Sequence, residues 1–141
     1  MNPSPDPRSA RAPRVLVVDD EEIVRSLISA GLGEGYTVVE TDCGREALDL
    51  LDRRPFDAVL LDFTLDGRLS GREVYSRLVE RRPELAERVV FCTGDSFSQD
   101  TWAFLDETGR PVLWKPFDLD ELRAVVAGVV AASRIAGDKV A

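Results

Sequence analysis

Four short apolar runs in this chain end in residues able to do chemistry. RVLVV leads into Asp19 and Asp20, FDAVLL ends at Asp62, VVFCT at Thr93 and VLWK at Lys115. If these runs are parallel strands of one sheet, their carboxyl ends converge and gather three carboxylates, a hydroxyl and an ammonium in one pocket. Neighbouring carboxylates repel, and at neutral pH they stay ionised together only where a cation compensates. Mg2+ suits such a set, because it takes oxygen donors in octahedral geometry and combines a protein carboxylate or two with a phosphate oxygen. The ion would also screen an incoming phosphate from the acidic pocket. One carboxylate could then act as nucleophile, which is phosphoryl transfer through an aspartyl phosphate. Lys115 would offer a point charge to a phosphoryl oxygen or to Asp62. Thr93, followed by the small Gly94, would offer a hydroxyl with room beside it.

Each residue alone has an ordinary reading. Asp20 or Asp118 can cap a helix, Thr93 can simply end a strand, and Lys115 can be a solvated side chain before a proline. Their joint occurrence at successive strand ends is what argues for a site.

The elements needed to position them are present in the pattern. Apolar runs at Val15–Val18, Thr37–Glu40, Ala58–Leu61, Val89–Cys92 and Val112–Trp114 alternate with helical periodicities. Three of the runs are apolar almost throughout, as strands covered on both faces are. Between them, Asp20–Gly33 repeats Ile23, Leu27, Ile28 and Leu32 and is stopped by Gly33 and Gly35. Gly44–Arg54 groups Ala47, Leu48 and Leu51, and Pro55 bars its continuation. Residues 71–81 carry Val74 and Leu78 behind Ser70 as N-cap, with Pro83 beyond the end. Residues 97–107 carry Phe97, Thr101, Phe104 and Leu105, and from Asp118 onward Leu119, Leu122, Val125, Val126, Val129 and Val130 form the strongest amphipathic repeat. Five strands alternating with five helices predict an α/β fold: a flavodoxin-like, doubly wound five-stranded parallel sheet of order 2-1-3-4-5. That order sets strands 1 and 3 side by side at the switch point, where ligands bind outside the strand carboxyl ends.

Composition narrows the function. A chain of 141 residues, 44% hydrophobic and 31% charged, can bury one ordinary core. Residues 1–13 hold four of the eight prolines without periodicity and read as a disordered leader. The last helix is expected to end near Ser133, leaving 134–141 as a short tail. No apolar run reaches the ~18 residues of a membrane span and no signal peptide is present, which predicts a cytoplasmic protein with no membrane contact. Net charge of −8 argues against a nucleic-acid surface, since duplex binding draws on clustered Lys and Arg. There is no histidine, so histidine chemistry must come from a partner. Cys43 and Cys92 form no CxxC pair and read as reduced, Cys92 as core filler.

The segments VLVVDDE, DAVLLDFTLDGRLSG, VVFCTGD and VLWKPFDLDEL together resemble the receiver domain of two-component response regulators, over roughly residues 14–133. The resemblance implies a phosphorylation-activated signalling switch rather than an enzyme, catalysing only its own phosphorylation and dephosphorylation. It implies Asp62 as phosphoacceptor, Asp20 as direct Mg2+ ligand, Asp19 holding the ion largely through water, and the Thr64 backbone carbonyl completing the ligands. Thr93 then looks like the switch hydroxyl, Lys115 like the phosphoryl-contacting lysine, and Lys115-Pro116 like a cis peptide. Implied partners are a histidine kinase or histidine phosphotransfer protein upstream, an output protein downstream, and a second copy of the chain when phosphorylated. With no effector domain after the last helix, the sequence reads as a stand-alone receiver or one cut from a hybrid kinase.

The chain departs from the family pattern in two places. The loop after Asp62 reaches Gly71 one residue later than usual and lacks its proline. Val112 stands where receivers often carry an aromatic, which removes an aromatic flip as the readout there. Thr64 and Asp95 occupy positions that tune aspartyl-phosphate lifetime in the family. Trp102 falls off the apolar stripe of its helix, near Val112 and Trp114, and these three residues mark a candidate switch or partner face. Two rivals stay open. A phosphatase would need an acid/base residue beside the nucleophile, where Thr64 stands. A flavodoxin-like cofactor module would need backbone donors and small residues in the first turn, which here is DDEE.

Overall fold

The computed structural model describes residues 11–65, 67, 69–94 and 98–140, with side chains through Ile135. Its strands are β1 (Arg14–Val18), β2 (Thr37–Thr41), β3 (Ala58–Asp62), β4 (Val89–Thr93) and β5 (Val112–Trp114). They form one parallel sheet of order β2-β1-β3-β4-β5. The helices are α1 (Glu22–Leu32), α2 (Gly44–Arg53), α3 (Gly71–Arg81), α4 (Gln99–Thr108) and α5 (Leu119–Val140).

The period of two along each strand builds a core on both faces. Leu16, Val18, Val59, Leu61, Val89 and Phe91 face Ala47 and Leu51 of α2, Val74 and Leu78 of α3 and Leu105 of α4. The alternate residues Val15, Val17, Leu60, Val90, Cys92 and Leu113 face Ile28 and Leu32 of α1 and Leu122, Val126, Val129 and Val130 of α5. β3 and β4 are buried at every position. Each buried Val, Leu or Phe among them contributes roughly 2 kcal/mol, so the strands that end in Asp62 and Thr93 are anchored by the apolar positions before those residues.

Caps follow the sequence. Ser70 accepts from Glu73 N at 3.2 Å to start α3, and the Asp118 carboxylate accepts from Glu121 N at 2.7 Å ahead of α5. α4 begins at Gln99, capped by Ser98, and ends at Gly109 with φ +67°. Phe97, expected on this helix, lies outside the described residues, as does Asp95.

Four expectations are corrected. Ile23 and Leu27 of α1 do not face the core: they are 82% and 48% exposed. The buried stripe runs instead through Ile28, Gly31 and Leu32 with Val24 beside it. Gly31 lies on this stripe against α5, where a Cβ would meet the Leu119 side chain. Among the described residues the five expected helices are six: Pro83 lies beyond the end of α3 as expected, but Pro83–Ala86 forms a further single turn, with Pro at the first position where its missing N–H costs nothing. α5 continues to Val140 through the segment expected as a tail, since nothing after Ser133 breaks it. Residues 11–13, assigned to the leader by composition, make defined contacts. The Pro13 carbonyl accepts from Thr37 N at 2.8 Å, the first bond of the β1–β2 ladder. Among the described residues no helix is long and apolar enough to cross a membrane.

Candidate functional site

The carboxyl ends of β1, β3, β4 and β5 lie side by side and bring the expected residues together. Asp19 follows β1 and is held by its own amide, which donates to the Thr41 carbonyl at 3.1 Å. Its Oδ1 accepts from Glu21 N at 2.9 Å, and its Oδ2 accepts from Lys115 Nζ at 2.8 Å. Asp62 closes β3, with Oδ2 3.6 Å from the same Lys115 Nζ. Both carboxylates are about 2% exposed at the side chain, whereas Lys115 is 19% exposed. One ammonium thus stands between two buried acids.

Burial, and then the charge of Asp19, push the Asp62 pKa up to about 6 from an ordinary 3.8, against the opposing pull of Lys115 and the Thr64 amide. Burial works against the Lys115 ammonium too. There the hydrogen bond to Asp19 and the charges of Asp62 and Asp19 outweigh it and hold the pKa above that of an ordinary lysine. The pocket therefore has more negative charge than its one lysine neutralises.

Thr64 sits in the turn after β3, and its amide and hydroxyl donate to Asp62 Oδ1 at 3.1 and 3.2 Å. These two bonds fix the rotation of the Asp62 carboxylate. The backbone beneath it is fixed as well. Gly71, the first residue of α3, lies so close to the Asp62 carbonyl oxygen that a Cβ would overlap it. Only glycine lets α3 start against the end of β3. In the connecting loop Leu65 and Leu69 are buried and Gly67 has φ +112°, while Asp66 and Arg68 lie outside the described residues. Thr93 is fully buried at the end of β4 and pairs in register with Trp114. Its carbonyl accepts from Lys115 N at 2.8 Å, which ties the hydroxyl-bearing and ammonium-bearing strand ends together. Lys115-Pro116 is cis.

The donors suit a hard divalent cation. Carboxylate oxygens of Asp19, Asp20 and Glu21 lie within 4.8 Å of one another, all of them hard ligands of the kind Mg2+ takes. Glu21 was not singled out in the sequence, although the run DDEE carried the signal. It is exposed and reaches 3.8 Å from Lys115 Nζ. Cys92 lies behind the pocket, and burial pushes its thiol up to about 12, which leaves it an inert core residue.

The second candidate region lies on the flank of the sheet. Trp102 of α4 is 49% exposed, yet its ring stacks on Trp114 of β5 with centroids 4.4 Å apart and planes 26° apart. Trp102, Leu105, Arg110, Val112 and Trp114 line an open cavity of about 300 Å3. Behind them Phe63, Tyr75, Phe91 and Phe104 form a cluster of edge-on ring pairs, with Phe63 and Phe104 tilted at 44° to one another. The residue next to Asp62 is therefore in ring contact with α4, with centroids 5.6 Å apart. Val112 packs against the same core.

Comparison with known proteins shows the family and the fold. The family described as the response regulator receiver domain matches residues 15–127. The transcriptional regulatory protein TcrA of Mycobacterium tuberculosis (strain ATCC 25618 / H37Rv) is 40% identical over 112 residues, covering 79% of this chain and 43% of its own. The response regulator MprA of Mycolicibacterium vanbaalenii is 41% identical over 112 residues, with coverage of 79% and 47%. The chain spans less than half the length of these curated relatives. Among solved structures, the signal receiver domain of a Luxo repressor protein from Vibrio parahaemolyticus superposes with a TM-score of 0.79 at 25% identity, covering 90% of this chain and 96% of that one. NtrX from Brucella abortus gives 0.79 at 29% identity, covering 91% of this chain and 29% of its own.

Proposed function

The chain belongs to the response regulator receiver domain family, and on that premise we propose that Asp62 accepts a phosphoryl group from the phosphohistidine of a histidine kinase or phosphotransfer protein. The observation that carries this reading is the position of Lys115 Nζ, 2.8 Å from Asp19 and 3.6 Å from Asp62 at the strand carboxyl ends. In the reaction an Asp62 carboxylate oxygen forms a bond to phosphorus as the phosphorus–nitrogen bond breaks, and the imidazole leaves. Asp20 directly, Asp19 largely through water, Asp62 and the Thr64 carbonyl would hold Mg2+. Bound there, the ion supplies the positive charge that lets a phosphate approach three carboxylates. Lys115 neutralises a phosphoryl oxygen, and the Thr93 hydroxyl donates to another. The chain's catalysis is confined to its own phosphorylation and dephosphorylation.

The output belongs to the same proposal. Drawing Thr93 toward the phosphoryl group moves its register partner Trp114 and shifts the population of the Trp102, Val112 and Trp114 face, a two-state change. A downstream protein, or a second phosphorylated copy, reads that face. TcrA is named a transcriptional regulatory protein. For the present segment, with net charge −8, we propose protein contact rather than nucleic-acid contact. The free cysteines Cys43 and Cys92 are in keeping with a cytoplasmic location.

Incubation with Mg2+ and acetyl phosphate, followed by intact-mass measurement, tests the reading. One phosphoryl group should be gained, and Asp62→Ala or chelation of the metal should abolish the gain. No gain in the unsubstituted protein, or an equal gain in Asp62→Ala, refutes it.

A further inference from the structure

The turn that carries Asp19, Asp20 and Glu21 enters α1 without an ordinary cap, for Glu21 at the N-cap position makes no side-chain capping bond. A side chain from inside the helix takes over. Arg25 reaches back so that its Nη1 donates to the Asp19 carbonyl at 2.7 Å. Its Nε lies 3.4 Å from Glu40 Oε1 at the end of β2, and the other Glu40 oxygen accepts from the Ser29 hydroxyl at 2.8 Å. The Arg25 side chain is 17% exposed and Glu40 38%, so the guanidinium is largely shielded from solvent while both of its acceptors come from the protein.

A planar guanidinium that meets a carbonyl on one side and a carboxylate on the other has little freedom. The carbonyl it grips belongs to the peptide joining Asp19 to Asp20. Because that peptide is planar, holding its oxygen fixes the amide and Cα of Asp20 as well. Asp19 is tied independently through Thr41 and Lys115, whereas Asp20 has no comparable anchor among the hydrogen bonds of the described residues. We infer that Arg25, oriented by Glu40 and Ser29, is a positioning residue for the metal-binding turn, setting the aim of the Asp20 carboxylate. The inference rests on the reading of the pocket as a Mg2+ site.

Charge and position make opposite predictions for this residue. A cation close to a cation site opposes binding by Coulomb repulsion, so if Arg25 acted only through its charge, removing it would tighten Mg2+ binding. If it acts by positioning, removing it weakens binding, on the order of tenfold, as loss of an outer partner of a metal ligand does. Mg2+ titration calorimetry on the full chain, with the unsubstituted protein, Arg25→Ala and Arg25→Lys, separates the two. Arg25→Ala should bind on the order of tenfold more weakly. Arg25→Lys keeps the charge but cannot grip the carbonyl and Glu40 together, so it should fall between the two and decides the matter if the alanine variant does not fold. In the metal-free proteins, amide exchange at Asp20 and Glu21 should speed up in the same order. Equal or tighter Mg2+ binding by Arg25→Ala, or an Arg25→Lys variant indistinguishable from the unsubstituted protein, overturns the inference. If the unsubstituted protein binds no Mg2+, the metal reading itself fails and this inference falls with it.

Discussion

Trp114 and Lys115 are neighbours in the chain, yet they belong to regions held together in opposite ways. Lys115 stands in a pocket of like charges, where Asp19 and Asp62 are buried within 3.6 Å of a single ammonium. Trp114 lies against Trp102 on a half-exposed flank where rings are fitted to rings. In the pocket, burial works against the charged groups, and the raised pKa of Asp62 measures what remains uncompensated. On the flank, ring stacking and partial burial work in the same direction. The pocket thus carries more negative charge than its lysine neutralises, while the flank leaves part of its ring surface exposed.

The largest effect should come from removing the lysine. With metal chelated at pH 7.5, Lys115→Met leaves two buried carboxylates without their cation, and urea unfolding should show a loss of about 3 kcal/mol. A loss below about 1 kcal/mol would break the comparison, because the pocket would then not depend on its ion pairs. Asp62→Asn should act with the opposite sign. The folded-state pKa of about 6 lies above the ordinary 3.8, so the folded protein binds the proton more tightly and its stability falls as pH rises between those values. Above about 6 that cost is complete, and Asp62→Asn should gain about 2 kcal/mol, a gain that shrinks toward pH 4. A pH-independent difference between the two proteins would count against it. The smallest effect belongs to the flank. Trp102→Ala should lose about 1 kcal/mol, with no change between pH 5 and 8 or between low and high salt. The same salt and pH series on the Lys115 and Asp62 variants should separate the two regions.

The pocket was legible in the sequence because its residues are unusual for where they stand. A carboxylate, a threonine or a lysine closing an apolar run is visible in one dimension, and parallel topology then does the assembling. The flank was less legible. Trp102 could be placed off its helix stripe by counting, but its stacking on Trp114 depends on how α4 settles on the sheet. The same limit explains Ile23 and Leu27. Periodicity says which residues share a face of a helix, not which face is chosen when apolar residues spread around it, and in α1 the buried face carries Ile28, Gly31 and Leu32. Arg25 and Glu40 were invisible for a third reason. Their partnership crosses from α1 to β2, and an arginine and a glutamate at those positions look like ordinary solvated charges.

The stacked indoles also have an optical consequence. Two aromatic transitions 4.4 Å apart couple strongly enough to split into an exciton pair in the circular dichroism spectrum, and the sign and size of the couplet follow the angle between the rings. These are the chain's two tryptophans, so the couplet comes from one known place. Because Trp114 is paired to Thr93 and joined to Lys115, the molecule carries an unlabelled reporter one residue from its acidic pocket.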